Sequence, residues 1–429
     1  MGKKPLLFEY FPNLDGKIPW TPILTNQPTP VERLENLENY LKMNEGKIYI
    51  KRDDKIHKIY GGNKLRKFEF IFGDILNKKK KGVITIGGIG TNHGLACAIV
   101  CNLLNPSLKC DLFLYPQPLT WHVQRSLLLF NQFGARLHLG KSDVSSFLKA
   151  LKFQFFHPKY YLMFPGGSPM FRFGTPLGII GFINAIIELK QQIDNKEIQN
   201  PDIIFIPAGS TGTAAGLLAG IKLCKLKIKL HIIPVYPDFI ANPKTIIKNS
   251  TKAIKYLRKF DKSIPKLKFD TSDFEFTLGY LGSDYGIKTA KSQNAVDLIA
   301  QLEEEIHKFK LETTYTGKAA AAMIDFLRNE NSKDKRVLFW NTYNSNNLDR
   351  YLKQSNYNYK SLPQKFHKFF EEKVFQCWQI EDCKLNNIEK CPAFMNYEYR
   401  CWKVKNCPEE QKKKCKKYEI LKDVIILEK

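Results

Sequence analysis

Tyr60-Gly61-Gly62-Asn63-Lys64-Leu65-Arg66-Lys67 is the stretch on which the reading of this chain turns. Two glycines and an asparagine precede a lysine, and an amphipathic helical pattern begins at that lysine. Glycines let a backbone approach a flat ligand closely. A lysine held at such a place can form a Schiff base with an aldehyde cofactor. Asn is favoured at helix N-caps, so Asn63 carries a structural reading beside a chemical one. One lysine in a Lys-rich chain proves little alone.

Three further motifs follow in order: Gly87-Gly88-Ile89-Gly90-Thr91-Asn92-His93, Gly209-Ser210-Thr211-Gly212-Thr213 and Tyr315-Thr316-Gly317-Lys318. Together the four motifs resemble the pyridoxal-phosphate (PLP) enzymes of the 1-aminocyclopropane-1-carboxylate deaminase/D-cysteine desulfhydrase family. The resemblance starts near Pro28-Thr29-Pro30-Val31-Glu32-Arg33-Leu34 and Ile50-Lys51-Arg52-Asp53-Asp54, and runs to about Asn344. It implies an α/β protein of fold type II, with two parallel-type αβα domains and the cofactor in the cleft. The small domain is expected to span roughly 66 to 174 within a catalytic region covering 1–361.

The local patterns agree. Val83 to Ile86, Asp111 to Tyr115, Tyr160 to Phe164, Asp202 to Pro207, Lys229 to Tyr236 and Arg336 to Asn341 read as buried strands. Helical patterns cover about His93 to Leu104 and Val123 to Phe133. Strands alternating with helices point to parallel sheets covered on both faces.

The resemblance assigns roles by position. Lys64 is the Schiff-base lysine, and it moves the α-proton once an amino acid has displaced it. Asn63 hydrogen-bonds the cofactor's ring hydroxyl. Gly209, Ser210, Thr211, Gly212 and Thr213 follow a strand and open a helix, where backbone N–H groups form an anion nest for the phosphate. Family members more often have glycine where Thr211 stands. Thr91, Asn92 and His93 bind the substrate carboxylate, and Thr91 stands where some members use a catalytic serine. A helix cap is the structural reading of that turn. Tyr285, in Ser283-Asp284-Tyr285-Gly286, and Tyr315 match two active-site tyrosines.

Members that open the cyclopropane ring tend to carry Glu after the second tyrosine and Leu at the place of Thr342. This chain has Thr316 and Thr342, which lean toward β-elimination from D-cysteine to sulfide, pyruvate and ammonia. A hydroxyl of Thr316 or Thr342 at the pyridine nitrogen would leave that nitrogen largely unprotonated. The alternatives are ring opening, another amino-acid lyase reaction, or a degenerate PLP scaffold. The last draws on one departure: Asn341-Thr342-Tyr343-Asn344 replaces the family's His-Thr-Gly-Gly.

After about Leu362 the composition changes. Cys377-Trp378, Cys383 and Cys391 recur as Cys401-Trp402, Cys407 and Cys415, each shifted by 24 residues. The unit resembles small "two-CW" modules of bacterial proteins. Six thiolates here suggest a structural metal, zinc or iron–sulfur, with disulfides as the alternative and an unknown partner for the module. The region 362–429 is therefore expected to form a Cys-rich unit. Cys97, Cys101, Cys110 and Cys224 lie in apolar stretches and read as buried free thiols.

The 429 residues carry a formal charge of +25, with lysines dispersed rather than clustered, so nucleic acid is not the expected partner. No apolar run long enough for a membrane span and no signal peptide is read. A cytoplasmic homodimer acting on a small amino acid is the expectation.

Overall fold

A computed structural model describes residues 3–371, apart from 106, 118, 170–173, 284 and 355–357. The six cysteines of the 24-residue repeat lie outside the described residues. The chain divides into two compact units. One is Met1–Lys79 with Phe164–Asn346; the other is Lys80–Met163 with Asn347–Lys429.

The first unit opens with β1 (Val31–Arg33), β2 (Ile48–Lys51) and helix α1 (Lys64–Asn77). The second unit follows with β3 (Gly82–Gly88), α2 (Asn92–Leu104), β4 (Lys109–Tyr115), α3 (Trp121–Gln132), β5 (Ala135–Leu139), α4 (Asp143–Phe156) and β6 (Tyr160–Leu162). The chain then returns to the first unit with α5 (Leu177–Asp194), β7 (Ile203–Ala208), α6 (Gly212–Leu223), β8 (Lys229–Pro234), α7 (Pro243–Phe260), β9 (Phe274–Phe276), α8 (Ala290–Ile299), α9 (Thr316–Leu327) and β10 (Val337–Trp340).

The first unit holds a sheet of order β1-β2-β10-β7-β8-β9. Only the β1–β2 pair is antiparallel. The second holds an all-parallel sheet of order β5-β4-β3-β6. Every residue of β3 and β7 is buried, as strands covered on both faces must be. Pro207 is tolerated in β7 because pairing with β10 ends at Phe205. No described helix is long and apolar enough to cross a membrane.

The six strands read from the sequence are all present, with ends moved by at most two residues, while β1, β2, β5 and β9 were not read there. The inserted unit is narrower than the expected 66 to 174, running over 80–163. The physical reason is α1. It packs on α5, and Gly181 of α5 permits the approach. A Cβ on Gly181 would strike the Arg66 carbonyl, and one on Gly178 the Gly167 carbonyl.

A buried polar network fixes α1 further. Arg66 is 1% exposed. It donates to Asp53 at 2.7 and 2.9 Å, to Glu188 at 2.9 and 3.0 Å, and to Thr29 at 2.9 Å. Lys51 bonds Glu188 at 2.7 Å, and the Trp340 indole N–H donates to Asp53 at 2.7 Å. Burial alone would raise the Glu188 carboxyl, but the charges of Arg66 and Lys51 outweigh it and hold the group below its ordinary value.

Removing one partner of a buried pair leaves an uncompensated charge. Arg66→Ala is therefore expected to cost about 3–5 kcal/mol in denaturant unfolding. Because the folded Glu188 pKa is depressed, its stabilisation is present above the unfolded value of about 4.3 and drains away as pH falls below it. Melting temperature should drop more steeply from pH 5 to 3 in the parent than in Glu188→Gln; equal slopes would contradict the role given to this carboxylate.

Candidate active site

Lys64 opens α1 from a loop clamped on both sides. The Gly61 N–H donates to Asn344 Oδ1 at 2.7 Å, the Gly62 N–H to the Asp53 carbonyl at 2.7 Å, and the Asn63 N–H to the Thr342 carbonyl at 3.1 Å. Gly62 sits at φ +89°, and a Cβ there would press on the Thr342 carbonyl at 2.6 Å. Only glycine meets both demands.

Asn63 occupies the cap position with helical φ −64° and ψ −17°, and its side chain makes no capping bond. Its carboxamide is spent elsewhere. Nδ2 donates to Thr213 Oγ1 at 3.2 Å, and Oδ1 accepts from Lys64 Nζ at 2.8 Å. Desolvation lowers the Lys64 ammonium to about 8, against the opposing charge of Glu312.

The departure at Asn341 to Asn344 leaves the buried Asn341 Nδ2 without a hydrogen-bond partner among the described residues but demands no special backbone. Neither Tyr343 nor Asn344 takes a left-handed φ, so the backbone there does not require glycine. The Asn344 carboxamide instead ties the lysine loop to the Asn346 carbonyl, to which Nδ2 donates at 3.2 Å.

The Gly209–Thr213 turn joins β7 to α6. Thr211 is left-handed at φ +61°, a conformation unfavourable to a branched side chain. Buried Asn249 holds it, donating to Thr211 Oγ1 at 3.1 Å. Around Gly212 the space is close: a Cβ would collide with Ser168 Oγ and lie 3.1 Å from Lys67 Nζ. Ser168 Oγ also meets Ser210 Oγ at 3.2 Å.

Lys67 is 1% exposed and donates to the Gly166 carbonyl at 2.8 Å and Ser168 Oγ at 3.3 Å. Neither partner is a carboxylate. Burial and the charge of Lys64 push its ammonium well below its ordinary value. A buried lysine at a helix N-terminus, beside two hydroxyls and a glycine, is a cradle for an anion of phosphate size, whose charge would favour the ammonium form. The residues present therefore fit the phosphate of PLP.

Tyr285 Oη and Tyr315 Oη lie 2.6 Å apart. Desolvation raises Tyr285 to about 12, although its bond to Tyr315 works the other way. A Cβ on Gly209 would touch the Tyr315 ring at 3.1 Å, so that ring borders the Gly209–Thr213 turn. Glu312 accepts from the N–H groups of Thr314, Tyr315 and Thr316 at 2.7–2.9 Å, filling the head of α9. The Thr316 hydroxyl is drawn into the same group. It accepts from the Glu312 N–H at 2.9 Å and lies 3.1 Å from Glu312 Oε1.

In the other unit, Thr91 caps α2, its Oγ1 accepting from the Gly94 N–H at 3.2 Å. His93 is buried, with Nε2 3.1 Å from Thr85 Oγ1. Lys67, Ser168, Asn249 and Glu312 were not singled out in sequence. The spacing of Lys64 and Lys67, one helical turn apart on one face, was the available signal.

These features define the class. The family described as pyridoxal-phosphate dependent enzyme matches residues 23–342, and the chain belongs to it. It is similar to the D-cysteine desulfhydrase of Serratia proteamaculans (strain 568), 29% identical over 345 residues, spanning 77% of this chain and 93% of the relative. The D-cysteine desulfhydrase of Salmonella newport (strain SL254) is 30% identical over 332 residues, 74% of this chain and 92% of the relative. The crystal structure of a 1-aminocyclopropane-1-carboxylate (ACC) deaminase homologue gives a TM-score of 0.64 at 24% identity, covering 80% of this chain and 95% of that one. The fold is that of fold type II PLP enzymes.

An amine attacks an aldehyde only when neutral. The lowered Lys64 pKa predicts that the rate of PLP attachment to the apoprotein rises with pH and levels off above about 8. Glu312→Gln, lacking the charge that raises Lys64, should move that midpoint down. A midpoint near 10.5 in both proteins would contradict the assigned environment.

Proposed function

We propose that this PLP enzyme is a lyase of a small amino acid, with D-cysteine and water converted to sulfide, pyruvate and ammonia. The observation that carries the proposal is the run Lys64–Asn63–Thr213, hydrogen-bonded in series and ending in the phosphate turn. Bound PLP supplies an electron sink for the charge released at the substrate's Cα.

The chain's own groups supply the rest. Lys64, whose ammonium is lowered to about 8, is a base near neutral pH and takes the Cα proton. Asn63 holds the cofactor's ring hydroxyl. Lys67, with the N–H groups and hydroxyls of Gly209 to Thr213, holds the phosphate. Tyr285 stays protonated at neutral pH and, paired with Tyr315, donates a proton to the departing sulfur. The three-carbon remainder then takes up water. Thr91, Asn92 and His93 receive the substrate carboxylate. The Thr316 hydroxyl is engaged by Glu312, so the pyridine nitrogen is assigned to Thr342. Relatives named for D-cysteine desulfhydrase and for 1-aminocyclopropane-1-carboxylate deaminase are about equally similar, so the preference for D-cysteine rests on Thr316 and Thr342.

The test is release of sulfide and pyruvate in equal amounts from D-cysteine. Lys64→Ala should fall to background, and Tyr285→Phe should lose on the order of 10²–10⁴-fold. A PLP-loaded protein that leaves D-cysteine intact but releases ammonia from ACC would replace this reading with ring opening. A charge-assisted bond is worth about 1.5–3 kcal/mol, so Lys67→Ala should weaken PLP binding roughly tenfold to hundredfold in equilibrium dialysis. Unchanged binding would remove Lys67 from the phosphate site.

A further inference from the structure

The second unit brings three cysteines together away from the residues just described. Cys97 and Cys101 stand four residues apart on α2, which places them on one helix face. Cys110 stands on β4, against which α2 packs. The three sulfurs lie within 4.8 Å of one another, and all three residues are at most 2% exposed.

We propose that Cys97, Cys101 and Cys110 form a binding site for one soft, thiophilic d¹⁰ metal ion of the zinc, cadmium or copper(I) class. One edge of the trio already has the spacing of a ligand set. Cys97 Sγ and Cys110 Sγ are 3.8 Å apart. Metal–sulfur bonds of about 2.3 Å at tetrahedral angles require a sulfur–sulfur edge close to that. The donor set contains sulfur alone, which selects thiophilic ions over magnesium or calcium.

Each thiolate–metal bond forms as one proton leaves a thiol. The ion would pin α2 to β4, about one and a half turns below the Thr91 to His93 turn at the helix head. It is a structural ion that steadies that turn, separate from any ion held by the distal cysteines.

The probe is cadmium(II) added to the reduced, full-length, PLP-loaded protein, with bound ions per chain counted after desalting. Cys97→Ala and Cys110→Ala should each hold one ion fewer than the parent. Cys224→Ala should match the parent, because Cys224 lies in the other unit and burial raises its thiol to about 12. Cadmium should raise the melting temperature of the parent and of Cys224→Ala, but not of the two cluster variants. Equal ion counts in all four proteins would overturn the site and leave three thiols packed as small apolar groups. Should the cluster variants not fold, alkylation of the parent during partial unfolding decides the matter. Cadmium should protect the peptides holding Cys97, Cys101 and Cys110 from iodoacetamide, and labelling that ignores cadmium would overturn the proposal.

Discussion

The guanidinium of Arg66, buried two residues after Lys64, is the constraint on which the first unit depends. It reaches Asp53 beyond β2, Glu188 on α5 and Thr29 before β1, while Trp340 at the end of β10 joins the same Asp53. Sheet and helices are thus keyed to one point. A buried charge network is weak evidence of net stability, since an apolar cluster of equal volume often does as well. Its contribution here is placement. A helix held by apolar contacts alone can slide; one held by five directed hydrogen bonds from its third residue cannot, and Lys64 at its head inherits the fixed position.

The second constraint is electrostatic. Lys64 and Lys67 stand one turn apart on α1. Burial disfavours both charged forms, and at Lys67 the charge of Lys64 adds to it. For Lys64 the outcome is an amine available near neutral pH. For Lys67 it is an amine whose hydrogen-bond partners are a carbonyl and a hydroxyl, so an anion at the head of α6 would restore its charge. On the proposed reading, one helix supplies both the group for the cofactor's aldehyde and the group for its phosphate.

Much of this was legible in the sequence, and the failures have causes. The strands were readable because β3 and β7 are buried on both faces and are continuously apolar. Gly62 was readable as a special backbone position because its close contact with the Thr342 carbonyl leaves no room for a side chain. The division at 66 and 174 was not, because the packing of α1 on α5 joins residues more than a hundred apart and leaves no local trace. Asn63 reads equally as cap or ligand in sequence; only the structure shows its carboxamide turned to Lys64 and Thr213. Tyr343 and Asn344 looked like damage to a glycine motif. With φ outside the left-handed region, and with Asn344 bonded to Gly61, they are a different way of closing the same loop. Thr316, chosen for its hydroxyl, has that hydroxyl engaged by a glutamate four residues earlier.

The central claim is that Lys64, and no other lysine of this Lys-rich chain, carries the cofactor. Borohydride reduction of the PLP-loaded protein, followed by peptide mass spectrometry, tests it directly. The account predicts a stable pyridoxyl group on Lys64 at close to one per chain, with Lys67 unmodified. A group found on Lys67 or elsewhere, or no group on a protein that holds PLP, would contradict it.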